Sequence, residues 1–125
     1  MVTTDISQLT AECNTWRSNL RKSREELTQC KHRLQEVASR QIPKNMLQDV
    51  EHYHNQFHIQ LINVHDLKQA IKEHERIAGW ELNSAKGISD AVWAKHEQLY
   101  DNYQHLDHTL SELKEEFNQF RQGFS

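Results

Sequence analysis

Residues 6–37 read ISQLTAECNTWRSNLRKSREELTQCKHRLQEV, and their apolar side chains return alternately three and four positions apart. The series is Ile6, Leu9, Cys13, Trp16, Leu20, Leu27, Cys30, Leu34 and Val37, with Ser23 its one polar member. A strand needs a period of two. A 3.5-residue repeat held for more than four heptads belongs to a helix that winds around neighbours. Asp5, with Gln8 three positions later, supplies a capping pair for its start.

The remainder of the chain repeats the pattern twice. Pro43, the only proline, drives Ile42 out of the helical region, and the heptad register fails at Gln41 and Lys44, so a tight turn is expected there. A second seam then runs through Leu47, Val50, His54, Phe57, Leu61, Val64, Lys68, Ile71, Glu75, Ala78 and Leu82. It breaks at Asn83-Ser84-Ala85-Lys86-Gly87, after which Ser89 caps a third helix and Ile88 staples to Trp93. The third seam is Ile88, Val92, Lys95, Leu99, Tyr103, Leu106, Leu110, Leu113, Phe117 and Phe120, with a four-residue stutter at Leu99–Tyr103–Leu106.

Helices over about 5–41, 43–83 and 88–122, joined by short turns, predict an all-α, up-down-up antiparallel three-helix bundle with 1–125 as a single domain. Folding the chain at its two turns gives layers such as Leu27/Phe57/Leu113, Leu20/Val64/Leu106 and Cys13/Ile71/Leu99. Each is fully apolar.

Composition agrees. Three glycines and one proline leave few residues for the turns of sheets, while charged residues make up 26% and hydrophobic ones 36%. The net charge is −3 and divides unevenly: residues 1–44 hold 8 Lys/Arg against 5 Asp/Glu, and the rest hold 7 against 13. A net acidic chain does not favour nucleic acid as a partner. No run approaches the ~18 apolar residues of a membrane span, and no secretory signal opens the sequence. A cytoplasmic protein with two reduced, buried thiols is expected; Cys13 and Cys30, 17 positions apart on one helix, stand too far apart to pair with each other.

Trp16 on the first seam, together with His54-x-x-Phe57-x-x-x-Leu61 on the second, resembles a spectrin-type repeat over about Ile6 to Phe117. The resemblance implies a mechanical or scaffolding spacer. The tryptophan such repeats carry on the third seam is not matched, since Trp93 falls outward.

Chemistry-bearing groupings are sparse. Glu51 and His54 have the E-x-x-H spacing of di-iron bundles, in one copy where such sites need two, and Cys30 is expected in the layer of His54. A second grouping sets His65 beside Asp101, His105 and His108. Both read more readily as core or solvated histidines than as metal ligands, so no metal and no cofactor is expected. Phosphate loops, Ser-His-Asp order and CxxC are absent, which argues against an enzyme. Nine histidines could carry the net charge from −3 to +6, which leaves a pH-responsive regulator as a weaker reading. Arg17, Arg24 and Lys31, beside the first seam, read as interhelical salt bridging, and Glu75 with Lys95 either as a register-fixing pair or as long side chains that reach out to water.

The surplus lies outside the seams. Ile59, Ile62, Ile77 and Trp80 on the second helix, with Trp93 and Tyr100 on the third, form a candidate interaction surface. The function expected from this reading is a non-enzymatic interaction or scaffold module that binds a protein partner or forms a homo-oligomer such as a dimer. The alternatives are a metal- or redox-binding bundle that uses the His and carboxylate groupings, and a small cytosolic regulator.

Overall fold

The computed structural model describes residues 6–84 and 87–123. Helices α1 (Ile6–Ala38), α2 (Lys44–Leu82) and α3 (Asp90–Gln122) pack against one another as an all-α three-helix bundle. At 1.5 Å rise per residue they are about 50, 58 and 50 Å long. The expected Asp5 cap and the Ile6 side chain lie outside the described part.

Each helix boundary has a local cause. At the end of α1 the Ser39 hydroxyl donates to the Glu36 carbonyl (2.7 Å) and the Arg40 amide to that of Val37 (3.1 Å). These bonds satisfy carbonyls that the helix no longer serves, so α1 stops at Ala38, three residues short of the expected limit. Pro43, with φ −57° and ψ 148°, precedes the first turn of α2, and its carbonyl accepts from the Met46 amide (2.9 Å). Before α3, Gly87 takes φ 72°, a left-handed conformation that costs any other residue a Cβ clash.

Ser89 caps α3 as its position predicts: its hydroxyl accepts from the Val92 amide (3.3 Å). Glu81, at the end of α2, accepts in turn from the Ser89 amide (2.8 Å) and hydroxyl (3.1 Å). A single carboxylate therefore fastens the end of one helix to the start of the next.

The core runs the length of the rod. Leu9, Cys13, Trp16, Leu20, Leu27, Cys30 and Leu34 of α1 are buried with Phe57, Val64, Ile71 and Ala78 of α2 and with Leu99, Leu110 and Phe117 of α3. All nine residues of the three apolar layers belong to this cluster. One end is closed by aromatic packing, with Tyr53 and Phe117 in ring contact with each other and each with Phe57 and Phe120, at centroid separations of 5.0 to 6.4 Å.

Two seams need correction. On α2 the spine Val50, Phe57, Val64, Ile71 and Ala78 faces inward as expected, but the second inward row is Tyr53, Gln60, Leu67, His74 and Glu81. Leu47, His54 and Leu82 are exposed instead. The displaced row forms the edge toward α1, where Glu75 meets Arg17 (2.6 Å) rather than Lys95. On α3, His96 is buried and Lys95 exposed. With His96 in the seam the series 92, 96, 99, 103, 106, 110, 113, 117, 120 alternates four and three without interruption, so the expected stutter disappears.

Removing the Ser89 hydroxyl strips the α3 cap and half of the Glu81 clamp. Ser89→Ala is expected to lower the unfolding free energy by about 1 kcal/mol, read from denaturant midpoints at unchanged m-value. Gly87→Ala is expected to cost a comparable ~1–2 kcal/mol through backbone strain alone.

Candidate functional site

The polar content of the core gathers at the end of the bundle that holds the α2–α3 turn. Heptad spacing on α1 places Cys13 inward, the second row of α2 places His74 inward, and α3 contributes His96. All three are almost wholly buried, at 0%, 3% and 6% exposure. Their donor atoms lie within 4.8 Å of one another. His74 Nε2 is 3.1 Å from His96 Nδ1, and Cys13 Sγ is 3.9 Å from the same nitrogen.

A fourth residue sets the protonation. Glu12, one position before Cys13, holds its carboxylate 3.0 Å from His96 Nε2. A carboxylate only accepts, so Nε2 carries the proton and Nδ1 presents its lone pair to His74 and Cys13. The His96 ring is clamped by stacking on Trp16 at 4.7 Å, parallel packing on His74 at 5.2 Å and an edge contact from Trp93 at 6.2 Å. Trp16 also stacks on Tyr100 and Tyr103.

Burial governs the titration of the group. It lowers His74 to about 4, and a proton added to His74 would also meet repulsion from any charge on the adjoining His96 and from Lys95. The Cys13 thiol is pushed up to about 12, first by burial and then by the Glu75 carboxylate, with Arg17 opposing and Glu12 adding. A thiol held in that state is not a nucleophile at neutral pH, which argues against Cys–His catalysis at this position.

The groupings expected from sequence are placed differently. Cys30 is buried, but Glu51 and His54 are exposed and line an open groove with Leu34, Gln35, Ala38, Val50 and Asn55. His65, Asp101, His105 and His108 are exposed; His105 borders a shallow groove with Gln60 and Asn102, while His108 pairs with Glu112 at 2.7 Å. Among the described residues neither set converges on a common point, and Cys13, His74 and His96 are the one group of three that does. Sequence reasoning passed over His74 and His96 because each sits one position from a seam that seemed complete. The apparent stutter in the third seam was the signal, since replacing Lys95 by His96 restores the repeat.

Ile59, Ile62, Ile77 and Trp80 are exposed on the outside of α2, Trp80 by 77%. Trp93 is partly buried against the core, and Tyr100 lies over Trp16 on the α1–α3 side. No helix among the described residues is long and apolar enough to cross a membrane. No family model, curated protein or solved structure matches the chain.

The depressed His74 value has a definite sign. Between about 4 and the ordinary 6.5 the unfolded chain takes up a proton that the folded chain refuses, so folding stability is intact above 6.5 and declines as pH falls through that window. In chelator-treated protein the unfolding free energy is expected to drop from pH 7.5 to pH 4 by on the order of 3 kcal/mol more in the wild type than in His74→Gln.

Proposed function

We propose that the protein is a non-enzymatic helical interaction module, and that its partner is a second copy of itself docked antiparallel along the outer face of α2. The observation that carries this reading is a second heptad stripe on that face. Ile59, Ile62, Asp66, Gln69, Glu73, Arg76 and Trp80 follow one another at intervals of three and four, all are exposed, and Ile77 flanks the last turn.

The stripe is self-complementary. Ile59 and Trp80 lie equally far from the midpoint between Gln69 and Ala70, and so do Ile62 and Ile77. An antiparallel copy related by a two-fold axis at that midpoint sets each isoleucine pair against the partner's Ile77 and Trp80, the arrangement an isologous dimer requires. Near the axis Asp66 would face the partner's Glu73, and Arg76, bound to Glu73 at 2.6 Å, reduces that repulsion. Trp93 and Tyr100 fall outside this face and serve the core and the Trp16 stack. A rod of this kind, with no reactive thiol, fits a spacer or scaffold, in keeping with the spectrin-like pattern of its heptads.

Sedimentation or light scattering at about 0.1 mM chain is expected to show a dimer, and Ile59→Ala combined with Trp80→Ala to weaken it by about 100-fold or more. Gln69→Cys, at the proposed axis, should yield a disulfide-linked dimer on mild oxidation, whereas Ile59→Cys should not. A monomeric wild type at that concentration would count against self-pairing and leave a different helical protein as the occupant of the stripe.

A further inference from the structure

We infer that Cys13, His74 and His96 form a three-ligand Zn²⁺ site that ties the three helices of the bundle together. Each helix contributes one donor: Cys13 Sγ from α1, His74 Nε2 from α2 and His96 Nδ1 from α3. The site is independent of the pairing proposed for the outer face of α2, from which none of its residues comes.

Geometry supports the assignment. Tetrahedral zinc, with Zn–S near 2.3 Å and Zn–N near 2.0–2.1 Å, sets its ligand atoms about 3.6 Å apart along an S–N edge and about 3.3 Å apart along an N–N edge. Two of the three edges match closely, Cys13 Sγ–His96 Nδ1 at 3.9 Å and His74 Nε2–His96 Nδ1 at 3.1 Å, and all three donors lie within 4.8 Å of one another. One coordination position is left for a non-protein ligand such as water.

The surroundings support it as well. A metal-bound imidazole commonly donates its other N–H to a carboxylate, which fixes the tautomer and raises its basicity. Glu12 holds His96 Nε2 in this way at 3.0 Å. Two imidazoles and a thiol are also an expensive filling for a layer that aliphatic side chains could occupy, with Leu9 and Leu99 buried in the same core. A thiolate with two imidazoles selects zinc among the abundant divalent ions and disfavours magnesium and calcium, which need oxygen ligands.

The protons balance simply. Cys13 gives up its S–H proton to solvent, and the neutral His74 moves its ring proton from Nε2 to Nδ1 so that Nε2 can bind. His96 is already in the competent tautomer. One proton is released for each ion bound.

Co²⁺ serves as the spectroscopic probe, on chain purified without an affinity tag and stripped by chelator. Wild type is expected to bind one Co²⁺, with a thiolate-to-cobalt charge-transfer band in the near ultraviolet, intense visible bands of tetrahedral cobalt, and one proton released per ion. Zn²⁺ should abolish those bands by displacement and raise the melting temperature by about 5 °C or more at saturation. Cys13→Ser should lose the charge-transfer band and weaken Co²⁺ binding at least tenfold, while Cys30→Ser keeps both. Binding without the charge-transfer band or without proton release, the signature of surface histidines, would overturn the proposal. So would a band that Cys13→Ser retains or Cys30→Ser removes. Should Cys13→Ser fail to fold, the wild-type spectrum and proton count decide alone.

Discussion

The demand on α2 organises this molecule. A helix in a two-stranded coiled coil covers a seam two positions wide, but α2 lies between two neighbours and must satisfy both. Its spine, Val50, Phe57, Val64, Ile71 and Ala78, is shared between them. The row through Tyr53, His74 and Glu81 turns to α3, where it meets Phe117, His96 and Ser89 in succession. The opposite row turns to α1, where Glu75 binds Arg17. Because the α3-facing row is polar or aromatic at most of its positions, the contacts that hold α2 to α3 are specific ones. Sliding either helix by a turn would separate His74 from His96 and leave buried imidazoles without the contact they now share, a penalty that an all-leucine row would not impose.

How far the fold was legible follows from the same fact. The heptads of α1, the break at Pro43, the Ser89 cap and the apolar layers are local or periodic signals, and residue pattern alone carries them. The inward flank of α2 is hard to read from sequence because Leu47 and Leu82 look like better core residues than Tyr53 and His74, and hydrophobicity alone cannot tell a flank facing a helix from one facing water. A seam displaced by one position puts His54 inward and leaves His74 outside. On α3 the choice of Lys95 over His96 had the same origin, a preference for keeping a seam that looked adequate. The Cys13, His74 and His96 group depends on three helices meeting, which no one-dimensional spacing displays. The outer residues of α2 were found because apolar side chains off every seam are conspicuous without knowledge of the fold.

The two ends of the rod are held by different chemistry. At the α1–α2 turn, Tyr53, Phe57, Phe117 and Phe120 pack as an aromatic knot indifferent to pH and metal ions. Toward the α2–α3 turn, thiol, imidazole and carboxylate groups sit among the aromatic rings, with His96 stacked on the buried Trp16. Among the described residues the buried imidazoles, His74 and His96, therefore lie toward one end of the bundle, away from the aromatic knot. The outer stripe of α2 spans both regions, from Ile59 to Trp80, so any partner seated there senses the two ends together.

The clamp between Glu81 and Ser89 also bears on how the chain reaches its fold. It joins residues eight positions apart, and the His74–His96 contact just beyond it closes a span of 22. Both form with little loss of loop entropy compared with the contacts of Glu12 and Asn19 to α3, which span more than 80 residues. The α2–α3 hairpin is thus cheaper to close than the α1–α3 contacts, and the α1–α2 hairpin shares that advantage across its own short turn at 39–43. Helical bundles built from such near-neighbour contacts fold in microseconds to milliseconds. With both turns this short, only the docking of α3 on α1 carries a long-range entropic cost.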